Sequence, residues 1–388
     1  VNGGLTYSPD DVVDFDTDGA ILVLRSSNIQ EGKISYLDNV YVNVKVNKKQ
    51  MTTIGDILIC SRNGSRRLLG KNILIDENSK NLAFGAFMTI LRTKYNRFVR
   101  YYLASGVFND LLNSSTSTIN QLTTRDINNI EIPLPPFIEQ EKIVKFLDDK
   151  CSKVDQEVSL LQKKSILLDE YKNALIYETV TKGLDKNAEM KDSGVEWIGE
   201  IPNHWKVKRI KDYYNLGMGS TILKEDLIDD GMYPVYSATA EDKFFGYVND
   251  VRIPLIKGDL VIPARGNSIG FVKKVENVGI HTCTQTTIYA KNKYKNNNPY
   301  YYFYMIGNKN SLFFYDQTAI PQITVSQIKG KMLLIPPVNE QNEIASFLKL
   351  ETMKIEKQIE LINKKVELLK EYKQSLIYEA VTGQLEIE

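Results

Sequence analysis

Two loops in this chain combine an arginine with small polar residues in a pattern that suits contact with nucleic-acid bases. Arg62 and Arg265 each lie seven residues after the glycine of a Gly-Asp turn, and the polar stretches 63–65 and 266–268 follow them. Arginine can donate paired hydrogen bonds to guanine, and an Asn or Gln amide can pair with adenine. We therefore expect these loops to read base edges, and an ordinary solvated loop is the alternative.

The candidate DNA contacts are polar or cationic residues placed in turns. In the first half of the chain they are Arg25, Ser26, Ser27, Asn28, Arg62, Asn63, Ser65, Arg66 and Arg67. In the second half they are Ser237, Thr239, Arg265, Asn267, Ser268 and Lys273. Arg66 and Arg67 suit phosphates, which position a protein without specifying sequence.

Patterns that would indicate catalysis are short and incomplete. Asp10 followed by Glu31 and Lys33 is similar to the carboxylate-and-lysine set of some metal-dependent nucleases, but the second half of the chain has no counterpart. The stretch 64–71 imitates a phosphate-binding loop with one residue too many. We therefore predict no catalytic residue and no metal ligand on this chain, with a nuclease as the rival interpretation.

Length and composition limit the class of protein. A chain of 388 residues is too long for one compact core, which predicts two domains. A formal net charge of +1 neither supports nor excludes a polyanionic partner. The three cysteines are far apart and lack CxxC spacing, which argues against a zinc site and against disulfides and favours a reducing cytoplasm. No apolar run is long enough to cross a bilayer.

A stretch of about 50 residues occurs twice, 201 positions apart, and roughly 23 of its 50 aligned positions are identical. Each copy follows a Pro-Pro pair, at 135–136 and at 336–337, and ends in a Leu-Ile-Tyr-Glu sequence. The segments before the two copies are much less alike. This contrast predicts two similar surfaces on the repeated stretches and two different ones on the preceding domains.

Each repeated stretch has the three-and-four spacing of a long helix with one apolar stripe. In the first copy the stripe consists of Cys151, Val154, Val158, Leu161, Ser165, Leu168, Lys172 and Leu175. In the second copy it consists of Thr352, Ile355, Ile359, Ile362, Val366, Leu369, Lys373 and Leu376. This spacing predicts a coiled-coil seam. We favour pairing within the chain, because two matched seams are present, and a homodimeric coiled coil is the alternative.

The fold prediction is an α+β chain. Two mixed α/β domains are separated by two long antiparallel helices that form an intramolecular coiled coil, with a pseudo-two-fold internal repeat. The predicted segments are 1–134, 135–182, 183–335 and 336–388, of which the second and fourth are the long helices. Aligning the glycines at 3–4 with those at 217–219 also suggests that about 30 residues before the first domain are missing.

Several motifs in this order resemble the specificity subunit of Type I restriction-modification systems. They are the helix starts PLPPFIEQEKIVKFLD and IPPVNEQNEIASFL, the helix ends LIYETVT and LIYEAVT, the inter-domain DSGVEWIGEIPNHW, and GGLTYSP followed by LRSSNIQEGKI. The resemblance covers nearly the whole chain. It implies that each globular part is a target recognition domain that reads one half of a split DNA site.

The resemblance also implies partners and cofactors. The helices would separate the two half-sites and bind two methyltransferase subunits, and two motor-nuclease subunits would join the full complex. S-adenosylmethionine would then be held by the methyltransferase and ATP with Mg²⁺ by the motor-nuclease, with no cofactor on this chain. The candidate partner contacts are identical in both copies: Tyr171, Leu175, Ile176, Tyr177, Tyr372, Leu376, Ile377 and Tyr378. A scaffold that binds two proteins without touching DNA is the rival from another class.

Overall fold

The computed structural model of the chain describes residues 1–30, 32–107, 121–241, 243–294, 298–314 and 321–387, apart from the side chains of Arg67 and Val107. The chain forms two compact units. Unit 1 contains Val1–Gln162 and Asn363–Glu388, and unit 2 contains Lys163–Ile362. Each unit therefore combines one globular region with part of both long helices, which differs from the linear division into four segments.

In its described residues, unit 1 is built from short strands and short helices that precede a long one. Its strands are β1 (Asn2–Gly3), β2 (Val12–Val13), β3 (Ile21–Leu24), β4 (Ile29–Gln30), β5 (Lys33–Ile34), β6 (Tyr41–Val42), β7 (Ile57–Cys60), β8 (Asn72–Leu74), β9 (Ala83–Phe84) and β10 (Met88–Leu91). Its short helices are α1 (Asn96–Tyr102) and α2 (Thr124–Asn128). The long helix α3 (Phe137–Lys182) starts in unit 1 and continues into unit 2.

Unit 2 has a similar content of strands and short helices. Its strands are β11 (Met190–Asp192), β12 (Glu200–Pro202), β13 (Lys206–Arg209), β14 (Tyr214–Met218), β15 (Tyr233–Tyr236), β16 (Gly246–Val248), β17 (Leu260–Pro263), β18 (Lys273–Lys274), β19 (Thr282–Cys283), β20 (Thr287–Asn292) and β21 (Met332–Ile335). Its helices are α4 (Ile210–Tyr213), α5 (Tyr300–Gly307), α6 (Lys309–Leu312) and α7 (Val325–Lys329). The second long helix, α8 (Val338–Val381), begins in unit 2 and ends in unit 1.

The two units share one sheet topology. Unit 1 has an antiparallel sheet in the order β1-β10-β7-β8, and unit 2 has the order β14-β20-β17-β18. A parallel pair lies in the second sheet of each unit, between β3 and β9 and between β15 and β19. The internal repeat therefore extends from the helices into the globular regions, where the sequences have diverged. Two mixed α/β units, as predicted, are confirmed.

The Gly-Asp turns confirm this correspondence at the level of single hydrogen bonds. The Asp56 carboxylate accepts a hydrogen bond from the backbone N–H of Thr53 at 2.9 Å, and the Asp259 carboxylate accepts one from Ile256 at 2.9 Å. Each aspartate leads directly into a fully buried strand, β7 or β17. These turns begin the two strands that Arg62 and Arg265 follow, in the same way in both units.

Both long helices begin and end with the same local contacts. The side-chain amides of Gln140 and Gln341 donate to the carbonyl oxygens of Pro135 and Pro336, at 2.7 and 2.8 Å. Proline lacks the N–H that would extend a helix backward, so the Pro-Pro pairs set the start. Positive φ angles of 77° at Gly183 and 74° at Gly383 follow the helix ends, where glycine adopts the left-handed conformation without a Cβ penalty.

The predicted apolar stripe of each long helix is shielded from solvent at least in part. Every position of both stripes is buried or half-buried. Within unit 1 the two helix segments are in contact: Lys373 pairs with Asp155, and Lys365 pairs with Glu157, both at 2.6 Å. Within unit 2, Lys172 lies 3.4 Å from Glu356. A continuous coiled coil along the full length of both helices stays a prediction.

The ends of the repeated helices lie in the cores of the globular regions. In unit 1, Leu376, Ile377 and Val381 pack with Phe98 and Leu147. In unit 2, the cluster that contains Ile176 and Val180 also contains Tyr300, Ile344 and Leu348, and the Tyr300 hydroxyl donates to the Val180 carbonyl at 3.0 Å. The same helix positions therefore anchor each long helix to the globular region of its unit.

Candidate nucleic-acid interface

Both predicted arginines lie at equivalent exposed positions at the ends of buried strands. Arg62 forms an isolated antiparallel bridge with Gln121, and Arg265 forms one with Gln322. All four residues are exposed. The strands β7 and β17 are fully buried, so they hold these arginines on a rigid support. The equivalence predicted from sequence between Arg62 and Arg265 is confirmed, and DNA contact by either stays a prediction.

In unit 1 the structure brings the two predicted loops together. The Asn63 side-chain amide donates to Ser26 Oγ at 3.1 Å. Ser65 and Arg66 follow Asn63 closely in the sequence, and both are exposed. They lie at the start of a short helical turn that precedes β8. The side chain of Arg67 lies outside the described part of the structure. Unit 1 therefore presents Ser26, Arg62 and Asn63 as one polar group.

The Arg25 side chain binds another residue of its own loop region, Asp38. Its guanidinium group donates to the Asp38 backbone carbonyl at 2.8 Å and lies 2.9 Å from the Asp38 carboxylate. The hydrogen bond from Arg25 holds the pKa of the Asp38 carboxyl below its usual range. Arg25 and Ser27 are half-buried. We expect Arg25 to offer less of its charge to DNA than Arg62, because part of it is already compensated.

Unit 2 also brings its two predicted loops together. Ser268 Oγ donates to the Ala238 carbonyl at 2.8 Å, and Lys273 Nζ donates to Thr239 Oγ1 at 2.9 Å. Thr239, Arg265 and Asn267 are exposed. The loop after β15 therefore lies against the segment after β17, as the loop after β3 lies against the segment after β7 in unit 1.

Four predicted contacts are buried, which corrects the expectation that they meet DNA directly. Asn28 is fully buried, and Ser237, Ser268 and Lys273 are each 8% exposed. The Asn28 amide donates to the Ser35 carbonyl at 2.9 Å and to the Asp38 carbonyl at 3.2 Å, so it holds its own loop. Polar side chains in turns face either water or unpaired backbone groups, and the sequence pattern is the same for both.

Three exposed residues at these positions were not predicted from the sequence. Phe87 is 56% exposed, and the guanidinium carbon of Arg62 lies 5.1 Å from the centroid of its ring. The Phe87 carbonyl accepts hydrogen bonds from the backbone N–H groups of Ser61 and Arg62, which fixes this aromatic side chain beside the arginine. The other two are Gln121 and Gln322, and their matching positions in the two halves were the available sequence signal.

Three of the eight predicted partner contacts on the helices are buried, which corrects the expectation that they meet a partner, and two are half-buried. Ile176, Leu376 and Ile377 are 3%, 7% and 4% exposed in the cores of their units, and Leu175 is half-buried against the same core. Tyr177 is half-buried, and its hydroxyl donates to the Trp197 carbonyl at 3.1 Å. The identity of Ile176 and Ile377 in the two copies is explained by the same packing of each helix end on its own globular region.

Three of the predicted partner contacts remain exposed. Tyr171, Tyr372 and Tyr378 are 58%, 53% and 43% exposed. Leu167 and Leu368, four residues before the first two tyrosines, are 53% and 55% exposed. Residues four apart lie on the same face of a helix. Each copy therefore presents the same exposed Leu-Tyr pair, which we call the Leu-Tyr pair of α3 (Leu167, Tyr171) and of α8 (Leu368, Tyr372).

The described residues contain no group of three or more His, Cys, Asp or Glu side chains that could hold a metal ion. Glu31, part of the nuclease-like pattern, lies outside them. The three cysteines are free and buried, and burial raises the pKa of the Cys60 thiol, and that of Cys283 to about 11. Every helix in the described part of the chain is too short or too polar to cross a membrane.

Comparison with known families identifies the class of protein to which this fold and these loops belong. Residues 3–168 and 202–371 each match the family described as the Type I restriction modification DNA specificity domain. The two matches cover most of the chain and reproduce its internal repeat. The chain therefore belongs to the Type I restriction-modification DNA specificity family.

Individual relatives agree with this assignment over nearly full length. The chain is 24% identical over 416 residues to the Type I restriction enzyme EcoKI specificity subunit of Escherichia coli K12, which covers 98% of this chain and 86% of that protein. It is 25% identical over 392 residues to the putative MjaX specificity subunit of Methanocaldococcus jannaschii, covering 95% and 87%.

Two solved structures share the fold. A chain from a study of complex assembly and conformational transition of the type I R-M system superposes with a TM-score of 0.76 at 16% identity, covering 99% of this chain and 97% of that one. The HsdS subunit from Thermoanaerobacter tengcongensis gives a TM-score of 0.52 at 16% identity, covering 99% and 95%. At these identities the likeness concerns the fold alone.

Proposed function

We propose that this chain is a non-catalytic subunit that directs a Type I modification and restriction complex to a split, asymmetric DNA sequence. Each unit reads one half of the site. The observation that carries this proposal is that equivalent loops on one shared scaffold present different side chains. Beside Arg62, unit 1 offers the half-buried Asn63 and the exposed ring of Phe87, whereas beside Arg265 unit 2 offers the exposed Asn267 and Thr239. Two readers of the same build and different chemistry suit two different half-sites.

The chemistry of the exposed loops supports base reading rather than general attraction to DNA. With a formal charge of +1, the chain has little overall attraction for a polyanion, so the local groups must supply it. Arg62 and Arg265 suit guanine, and the exposed Gln121 and Gln322 suit adenine. The Phe87 ring and the Arg62 guanidinium beside it also offer flat groups on which a base can stack.

The long helices are proposed to set the distance between the half-sites. With a rise of 1.5 Å per residue, the 46 residues of α3 span about 69 Å and the 44 residues of α8 about 66 Å. Helix length would then fix the distance between the two half-sites. For scale, ten base pairs of B-DNA cover about 34 Å.

The Leu-Tyr pairs of α3 and α8 are proposed to bind two copies of one methyltransferase subunit. Exposed apolar side chains at the same positions of both copies favour the same partner bound twice. Transfer of a methyl group from S-adenosylmethionine to adenine N6 would belong to that partner. ATP-driven cleavage with Mg²⁺ would belong to two motor-nuclease subunits, and the complex would act in the cytoplasm.

The adenine methylation pattern of DNA from cells that express this chain with its methyltransferase partner tests the proposal. We expect one motif made of two unlike specific parts separated by a gap of fixed length. Methylation in a continuous or palindromic motif, or none that depends on this chain, would contradict it.

Single arginine variants assign each half-site to a unit. We expect Arg62→Ala to relax only one half of the motif and Arg265→Ala only the other. Each substitution should cost about 1–3 kcal/mol of discrimination, the usual worth of a bidentate arginine–guanine contact. The assembled methyltransferase complex is the control, and it should form with both variants. An unchanged motif in both would remove these arginines from the reading surface.

A further inference from the structure

Lys273 places a cation inside unit 2. It lies in β18 and is 8% exposed. Its Nζ donates to Thr239 Oγ1 at 2.9 Å and to the Glu241 backbone carbonyl at 2.6 Å. A buried ammonium group is stable only where such acceptors satisfy it. The amine therefore binds the 237–241 loop that follows β15.

Lys273 occupies the position in unit 2 that an apolar residue occupies in unit 1. In unit 2, Val261 of β17 pairs with Lys273, and in unit 1, Leu58 of β7 pairs with Ile73. Ile73 is 6% exposed and belongs to the hydrophobic core. A hydrophobic residue at such a position generally stabilises a core at least as well as a buried ion. The lysine therefore needs an explanation other than stability.

The contacts of Lys273 determine the conformation of Thr239. The Thr239 hydroxyl accepts from Lys273 and donates to the Glu241 carbonyl at 3.2 Å, which fixes its rotamer. Ser268 Oγ holds the preceding residue of the loop through the Ala238 carbonyl at 2.8 Å. Two side chains from the segment after Arg265 thus fasten the loop, whereas in unit 1 the corresponding link is the contact between Asn63 and Ser26.

We propose that Lys273 is a positioning residue for DNA reading by unit 2: its amine, in place of a core isoleucine, holds the 237–241 loop against the segment that carries Arg265. The inference rests on the proposed function. Thr239 touches the DNA, and Lys273 acts through it. A loop held by buried hydrogen bonds reaches the DNA already ordered, so less conformational entropy is lost on binding.

The test uses the full chain in complex with its methyltransferase partner and three duplex DNAs. One duplex carries the motif methylated by the wild-type complex, and each of the others has one half scrambled. The half read by unit 2 is the half that Arg265→Ala relaxes. The dissociation constant for each duplex gives one discrimination ratio per half-site.

Two variants remove the link from opposite sides. Lys273→Met keeps the apolar stem and removes the amine, and Thr239→Val keeps the shape of an exposed side chain and removes the acceptor. For both we expect the discrimination ratio of the unit 2 half to fall, about tenfold for Lys273→Met, the order of effect that hydrogen bonds to a charged group carry. The ratio of the other half should not change.

Lys274→Met is the matched control, because it removes the same charge from the next residue, whose amine pairs with Glu276 at 3.0 Å instead. Its two ratios should equal those of the wild type. Wild-type ratios in Lys273→Met would overturn the inference, whatever the result for Thr239→Val, because Thr239 itself touches the DNA. So would an equal fall of both ratios, which would mean a general loss of structure. If the wild-type complex discriminates against neither scrambled half, the proposed function itself fails.

Discussion

The assignment of the repeated helix ends to the cores rather than to a partner surface can be tested on the isolated chain. Ile176 is 3% exposed in unit 2, and Ile377 is 4% exposed in unit 1. Truncation of a buried isoleucine to alanine typically costs about 2–5 kcal/mol, because transfer free energy is lost and a cavity remains. Alanine recovers a few tenths of a kcal/mol through its higher helix propensity. We therefore expect Ile176→Ala and Ile377→Ala each to destabilise its own unit by about 3 kcal/mol.

The matched controls are Tyr171→Ala and Tyr372→Ala, one for each long helix. Their side chains are 58% and 53% exposed, and surface substitutions of this kind usually change stability by less than about 0.5 kcal/mol. Urea unfolding followed by circular dichroism, with no partner present, measures all four variants. With a denaturant slope of about 1–3 kcal/mol per molar, the isoleucine variants should lower the midpoint by about 1 M or more.

Binding to the methyltransferase subunit should be affected by the tyrosine variants, whereas stability should be affected by the isoleucine variants. Tyr171→Ala and Tyr372→Ala should weaken assembly while leaving the urea midpoint unchanged. A wild-type midpoint together with lost assembly in Ile176→Ala or Ile377→Ala would place these isoleucines on the partner surface and not in the cores.

Three further predictions concern stability. A Cβ at Gly307 would lie 2.9 Å from Ile176 Cγ2 and 3.3 Å from the Tyr177 backbone nitrogen, so Gly307→Ala should lower the thermal midpoint of unit 2, and an unchanged midpoint would contradict this close approach. Asp56→Asn should cost about 1–3 kcal/mol at neutral pH, because it breaks the paired hydrogen bonds from the Arg92 guanidinium, both 2.9 Å long. Burial instead raises the pKa of Asp259, so folded Asp259 binds a proton more readily than unfolded Asp259 and the stability it contributes falls as pH rises through that raised pKa. Asp259→Asn should remove this fall in urea titrations from pH 4 upward, and an unaltered pH profile would count against it.

The long helices illustrate what could be predicted from sequence. Their start after a Pro-Pro pair, their buried stripe and their repetition depend on residues close together in the chain. Periodicity and proline chemistry act at that range, so the bounds of α3 and α8 lie within a few residues of the repeated stretches. The family resemblance rested on the same local motifs.

The loops illustrate what could not be predicted. Asn28 and Asn63 are both asparagines in polar turns, yet Asn28 is fully buried and Asn63 is half-buried, with its side-chain amide bound to Ser26. The difference depends on carbonyl groups at Ser35 and Asp38 that the fold brings to Asn28. A single-residue pattern contains no information about such partners.

An internal duplication with two amphipathic helices and two diverged domains follows from the sequence alone, because those properties are periodic and local. The direction of each repeated or polar side chain depends on the tertiary structure. Ile176 and Tyr171 recur equally in both copies, but Ile176 lies in a core and Tyr171 in water. Lys273 appears as a surface cation in the sequence and is enclosed by a loop from a distant segment. Burial is a property of all the neighbours that folding assembles around a residue, and those neighbours come from remote parts of the chain.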